Sequence, residues 1–134
     1  MLFKAEMTIN VYAPIPGVSV IDLQGEMTAF SEQKLIDAYH QVSGVGSQII
    51  ILNFKSLEYM NSSGIGLLIM LFVGANRSGQ RLVASGLDEH YKMIFELTRL
   101  NEAIQVYETV HEALEDLLPN AISSPDYEFK LSPI

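Results

Sequence analysis

Two consecutive serines, Ser62 and Ser63, follow Asn61 and precede a long apolar run, so their hydroxyls stand where a helix is expected to begin. Asparagine and serine are favoured just before a helix. The free N–H groups of the first helical turn and the positive end of the helix dipole favour an anion there. Ser62 is therefore a suitable phosphate acceptor, although the same residues also suit an ordinary helix cap. Spacing alone leaves both interpretations open.

Other patterns that could carry catalysis are incomplete. Residues 60–64 resemble the strand-to-helix turn of serine hydrolases, but Met60 replaces its first glycine and no Asp-then-His order follows. Ser31 and Lys34 match a serine-x-x-lysine element without its partner motifs. The three histidines, His40, His90 and His111, form no close-spaced ligand pair, and there is no cysteine. We expect no enzyme activity, no metal and no cofactor.

The composition indicates one soluble globular domain and argues against a nucleic-acid-binding surface. The chain has 134 residues, 49% of them hydrophobic, and a net charge of −8. An acidic balance disfavours nucleic acid, because nonspecific affinity comes mostly from lysine and arginine. The acidity is concentrated after residue 87, where 10 acidic and 3 basic side chains follow. The region around Ser62 is nearly neutral and apolar by comparison.

No part of the sequence is expected to enter a membrane. Lys4 and Glu6 interrupt the first apolar residues before a signal-like segment could form. The longest apolar run, residues 65–73, is far shorter than the ~20 residues that cross a bilayer. We expect a cytoplasmic protein without direct membrane contact.

Hydrophobic periodicity predicts a mixed α/β fold, in which a mixed β-sheet that opens with a β-hairpin packs against about four helices. The predicted strands are residues 7–12, 18–23, 48–53, 81–85 and 103–107. The first predicted helix begins after Thr28 or Ser31, either of which could cap it. The other three predicted helices span residues 62–76, 88–98 and 109–118. The aliphatic run at 48–53 is typical of a strand that is covered on both faces.

Two segments are predicted to lack regular structure. Residues 54–61 form a loop between the third strand and the helix that starts at Ser62. Prolines at 119, 125 and 133 exclude a further helix, so residues 1–118 form the domain and 119–134 an extended or disordered tail.

The helix after Ser62 has more apolar residues than one sheet face needs. Ile65, Met70 and Val73 belong to a run that surrounds almost its whole circumference. Neighbouring elements cover this surface, or part of it binds another protein; Met70 and Val73 are the residues expected to be exposed.

Residues 59–66, Tyr-Met-Asn-Ser-Ser-Gly-Ile-Gly, resemble the signature of the STAS domain family of anti-sigma-factor antagonists, and the resemblance extends from about Thr8 to Leu118. It implies that the unphosphorylated chain binds an anti-sigma factor that is also an ATP-dependent serine kinase. That kinase would phosphorylate Ser62 and so break the complex, and a PP2C-type phosphatase would restore it. Phosphate at a desolvated interface is costly unless it is paired.

The sequence also departs from that family's pattern. Asn53, Asn61 and Thr28 stand where the family often has aspartate, and Lys55 replaces a serine or threonine. Ser62 keeps its hydroxyl, while Ser63 and Gly64 complete the loop and helix start. The region loses three negative charges, and Lys55 is expected near the site. A kinase that requires the acidic residue would not accept this variant.

Two other roles remain open at this stage. In one, the chain is a constitutive scaffold in which Ser62 only caps a helix. In the other, it is a domain that binds a small molecule or lipid. A weak homodimer is compatible with any of these roles.

Overall fold

A five-stranded mixed sheet runs through the computed structural model, which describes residues 6–122. The strands lie side by side in chain order: β1 (Thr8–Ile15), β2 (Val18–Met27), β3 (Ile49–Met60), β4 (Arg81–Ser85) and β5 (Val106–Tyr107). β1 and β2 pair antiparallel, as the predicted hairpin requires, and the remaining neighbours are parallel. The mixed α/β class predicted from periodicity is confirmed.

Helices connect the parallel strands, because consecutive parallel strands need a long crossover connection. They are α1 (Glu32–Gly44), α2 (Ser62–Arg77), α3 (Glu89–Leu97), α4 (Leu100–Ala103), α5 (Val110–Leu117) and α6 (Pro119–Ile122), and a 3-10 turn at Ala29–Ser31 precedes α1. Four of them have eight or more residues, which agrees with the predicted number of helices. None of the helices in residues 6–122 combines the length and the apolar character needed to cross a membrane.

Apolar residues pack on both faces of the sheet. On β3, Ile50 and Leu52 belong to the larger core, which α1, α2 and α3 cover. Ile51, between them, points into a smaller core closed by Leu114 of α5. The prediction of a strand that is covered on both faces is confirmed, because successive side chains of a strand point to opposite faces.

The predicted loop at residues 54–61 is wrong: β3 continues to Met60. Its second half pairs with β2, with Ser56 opposite Gln24 and Met60 opposite Met27, although the register shifts twice along this stretch. Lys55, Ser56 and Glu58 make the segment polar, and local composition of this kind is more typical of a loop. Pairing with a long neighbouring strand outweighs that composition.

Two predictions near the end of the described chain are also wrong. The predicted strand at 103–107 is reduced to the two residues of β5, because the short helix α4 extends to Ala103 and Ile104 is its C-cap. The prolines do not exclude another helix, since α6 begins at Pro119. Proline is tolerated at the first helical position, where the N–H that it lacks has no acceptor within the helix. The rest of the predicted tail, 123–134, lies outside the described residues.

Candidate functional site

Ser62 and Ser63 are the first two residues of α2, and both are exposed. The side-chain oxygen of Asn61 accepts the N–H of Gly64 at 3.0 Å, and its carbonyl accepts the N–H of Ile65 at 3.0 Å. The N–H groups of Ser62 and Ser63 therefore remain without a partner inside the helix. They belong to the positive end of a 16-residue helix, which favours an anion at this place.

The start of α2 is held tightly against the end of β2. The N–H of Asn61 donates to the carbonyl of Met27 at 3.3 Å. Gly64 lies against that same carbonyl, and a Cβ at position 64 would come within 2.5 Å of its oxygen. Only glycine fits so close a backbone approach. The position of Ser62 is thus fixed by the sheet.

A tyrosine on another helix also fixes this turn. Tyr91 of α3 is buried, and its hydroxyl accepts the N–H of Met60 at 2.7 Å while donating to the Met60 carbonyl at 3.4 Å. Sequence reasoning assigned Tyr91 only to the apolar side of its helix and so missed this role. A buried tyrosine hydroxyl needs a polar partner, but the sequence does not identify which one.

Thr28 lies beside this turn, because it follows Met27 and caps a 3-10 turn that contacts α2. Its hydroxyl accepts the N–H of Phe30 at 3.2 Å, and its own N–H donates to Ser31 Oγ at 3.0 Å. Of the two predicted caps, Thr28 therefore caps the turn that leads into α1, and Ser31 makes no side-chain cap to α1 itself. Threonine at position 28 therefore supplies a capping oxygen, as an aspartate would, but carries no negative charge.

Lys55 is not beside Ser62, contrary to expectation. Because β3 continues past it as a strand, Lys55 lies opposite the stretch of β2 near residue 23, roughly 16 Å from Met60 at about 3.3 Å per residue. It lines a different feature, a cavity of about 450 Å³ beside the middle of β3 and the end of β4, together with Asn53, Gly86, Thr109 and His111.

Asn53 takes part in a polar network next to this cavity. Its amide nitrogen donates to Asp22 Oδ1 at 2.8 Å, and its Oδ1 accepts Ser85 Oγ at 3.3 Å and the N–H of Lys55 at 3.2 Å. An aspartate at position 53 would place two carboxylates in contact. The asparagine therefore has a structural reason that lies outside the Ser62 region.

The exposed side of α2 carries apolar residues in line with Ser62. Met70 and Val73 are 40% and 39% exposed, as expected, and Ile69 is exposed beside them. Positions 62, 66, 70 and 73 share one face at 3.6 residues per turn. Ile65 is half-buried and packs against the larger core, so it stands at the edge of this face.

Two aromatic residues in the elements that adjoin α2 are exposed, which sequence reasoning missed. Tyr59, at the end of β3, is 47% exposed, and Phe30, in the turn that contacts α2, is 76% exposed. Large exposed apolar side chains of this kind are available for contact with another protein. Tyr59 was noted only as part of the motif; its exposure follows from the continuation of β3, which the sequence did not predict.

The histidines occupy separate exposed positions, and His111 pairs with Glu115 one turn along α5 at 2.7 Å. Across residues 6–122, no group of three or more histidine and acidic side chains is arranged to hold a metal ion. The arrangement at Ser62 offers a hydroxyl, two free N–H groups and an apolar helix face. Its chemistry is that of anion acceptance and protein binding.

Comparison with known proteins gives a family match and similar structures. The family model of the STAS domain matches residues 11–113. The anti-sigma-B factor antagonist of Staphylococcus aureus is 24% identical over 88 residues, which cover 66% of this chain and 82% of that protein. An anti-sigma factor antagonist from Mycobacterium paratuberculosis has a similar structure, with a TM-score of 0.72 at 20% identity, covering 84% of this chain and 94% of that one.

Two further solved structures share the fold. The Bacillus cell fate determinant SpoIIAA in its phosphorylated form has a TM-score of 0.65 at 21% identity, covering 82% of this chain and 99% of that one. A sulfate transporter family protein from Wolinella succinogenes has a TM-score of 0.68 at 16% identity, covering 78% and 87%. At these identities the likeness shows the fold, and function has to be argued from the site.

Proposed function

The chain belongs to the STAS domain family, and on that premise we propose that it is an anti-sigma-factor antagonist whose binding is switched by phosphorylation of Ser62. In this role the chain catalyses nothing itself. It acts in the cytoplasm, and its partner is an anti-sigma factor that is also a serine kinase. A PP2C-type phosphatase resets it. The relatives named as antagonists support the role, and SpoIIAA supports phosphorylation as the form of control.

The observation that carries the proposal is the position of Ser62. It is an exposed hydroxyl at the first residue of a long helix, next to two N–H groups without helical partners. A phosphate on this hydroxyl adds nearly two negative charges and three acceptor oxygens. The helix terminus accommodates that charge locally, so the fold tolerates it.

The same phosphate would disrupt a complex. Ser62 lies on the face that carries Met70 and Val73. A partner that binds there would bury this face and exclude water from it. Burying an unpaired charge there costs several kcal/mol, and 1.4 kcal/mol already changes an affinity tenfold. The proposed switch therefore works by charge at the interface and needs no change of fold.

The replacement of a family aspartate by Asn61 affects how the kinase recognises the chain. It does not affect how phosphate on Ser62 would disrupt the complex. Asn61 still caps α2 through its side-chain oxygen, so the geometry that presents Ser62 is kept. What is missing is one negative charge beside the acceptor. We expect the cognate kinase to recognise the hydroxyl and the apolar face without relying on an acidic neighbour.

Phosphorylation can be tested directly with each purified anti-sigma factor kinase encoded in the same genome. The chain is incubated with the kinase and ATP, and the modified residue is located by peptide mass spectrometry. We expect phosphate on Ser62 in the wild type and in Ser63→Ala, and none in Ser62→Ala. Ser63→Ala is the matched control because both serines are exposed in the first turn of α2.

Functional variants separate the switch from a constitutive scaffold. Ser62→Asp should lose binding to the anti-sigma factor, and Ser62→Ala should keep it permanently. No phosphate at Ser62 with any of these kinases, together with wild-type behaviour of both variants, would contradict the proposal and favour the scaffold.

A further inference from the structure

Gly66 is a glycine without a structural reason in the part of the chain that the structure describes. It is the fifth residue of α2, it is exposed, and its φ is not among the positive values found at other glycines. A Cβ built at position 66 meets no atom within 4 Å. Glycine inside a helix lowers its stability relative to alanine. The isolated domain would thus be more stable with alanine here.

The other two glycines of α2 show the difference. Gly64 is required, because a Cβ there would lie 2.5 Å from the Met27 carbonyl oxygen. At Gly74 a Cβ would have one ordinary contact, 3.9 Å from Tyr39 Oη. Gly66 and Gly74 can therefore both be replaced by alanine in the free protein, but they lie at different positions around α2.

Gly66 lies in the middle of the proposed binding face. One helical turn separates it from Ser62 on one side and from Met70 on the other, and Val73 continues the same line. The missing side chain leaves a notch between the phosphate acceptor and the exposed apolar residues. Gly74 is half-buried and carries no part of this line.

We propose that Gly66 is the point where the anti-sigma factor comes closest to α2, with partner main chain or a small partner side chain occupying the notch. This inference rests on the proposed function and deepens it, because it assigns a residue that determines which partners fit. A methyl group at position 66 would hold the partner away from Ser62 and Met70, and close packing at an interface tolerates added volume poorly.

The test compares Gly66→Ala, Gly66→Leu and the control Gly74→Ala. Thermal unfolding of the unphosphorylated proteins should show a midpoint raised by roughly 2–4 °C in both alanine variants. Calorimetric titration with the purified anti-sigma factor that binds the wild type should show Kd raised at least about tenfold by Gly66→Ala, which corresponds to about 1.4 kcal/mol. Gly66→Leu should raise it further, and Gly74→Ala should leave it within about twofold.

Each other outcome overturns the inference in a distinguishable way. Wild-type affinity of Gly66→Ala and Gly66→Leu would show that the notch is not used, while the antagonist function stands. A lower unfolding midpoint of Gly66→Ala would show that the glycine is structural. If the wild-type chain binds none of the anti-sigma factors, the proposed function fails and the inference falls with it.

Discussion

The side-chain oxygen of Asn61 accepts the N–H of Gly64 at 3.0 Å, and this contact defines where α2 begins. It leaves the N–H groups of Ser62 and Ser63 available to an anion. The contact needs an acceptor oxygen and not a charge, so an asparagine can occupy a place where aspartate is common in the family. The presentation of Ser62 therefore survives the loss of the acidic residue.

Asn61→Ala should lower the free energy of unfolding by about 1 kcal/mol, because the cap to Gly64 is lost. Asn61→Asp should keep the cap and raise stability by roughly 0.3–1 kcal/mol, since a carboxylate interacts favourably with the helix N-terminus. Urea unfolding at neutral pH measures both. Equal stability of the alanine and aspartate variants would contradict the assignment of Asn61 as the cap.

Asn53→Asp should destabilise the fold by roughly 1–3 kcal/mol at pH 7, because the amide that donates to Asp22 is replaced by a second carboxylate. Two adjacent carboxylates raise the pKa of one of them in the folded state. The deficit relative to wild type should therefore shrink as the pH falls through that raised pKa towards the ordinary aspartate value of about 3.9. Urea unfolding at pH 7 and pH 4.5 measures this change.

The swapped double variant is the control for that pair. Asp22→Asn combined with Asn53→Asp restores one amide and one carboxylate, and it should regain most of the lost stability. If the double variant is as unstable as Asn53→Asp alone, the contact between residues 22 and 53 does not explain the asparagine.

Tyr91→Phe should cost roughly 1–3 kcal/mol of stability, since the buried N–H of Met60 loses its acceptor. The loss should be local to the turn before Ser62, so amide hydrogen exchange should accelerate most at residues 60–64. Tyr39→Phe is a matched control, because it removes a tyrosine hydrogen bond to Gln80 of 2.6 Å elsewhere. Equal acceleration at residues 60–64 in both variants would contradict this role for Tyr91.

The stability should also report the titration of Tyr107. Burial, followed by its hydrogen bond to Asp116 at 2.5 Å, raises the pKa of the Tyr107 hydroxyl to about 12. The folded state thus favours the neutral tyrosine, which adds to the free energy of unfolding. This stabilisation is fully present below pH 10 and is lost as the pH rises from 10 towards 12. Any stability advantage of wild type over Tyr107→Phe should shrink across this window in urea unfolding. A constant difference would contradict the shifted pKa.

The sequence was sufficient to predict the sheet class, the hairpin and the helix that begins at Ser62. These features depend on local signals: alternation, prolines and glycines in turns, and a capping residue before an apolar run. It failed at residues 54–60, where pairing with β2 makes a strand out of a polar segment. That pairing depends on residues that are distant in the sequence, so local composition could not predict the strand.

The same failure explains which site residues were misplaced. Lys55 was expected near Ser62, with residues 54–61 predicted as a loop, whereas an extended strand separates the two. Tyr91 was missed because it reaches the turn before Ser62 from another helix. Asn61, Ser62 and Ser63 were placed correctly, since consecutive residues at a helix start remain together in any fold that contains the helix.

The most direct test of the central claim is the affinity of one purified anti-sigma factor for the unphosphorylated chain and for the chain carrying phosphate on Ser62. Isothermal titration calorimetry measures both under identical salt and pH. We predict that phosphate weakens binding at least about a hundredfold, or about 2.7 kcal/mol. Affinities that agree within about twofold would contradict the proposal that Ser62 is the switch.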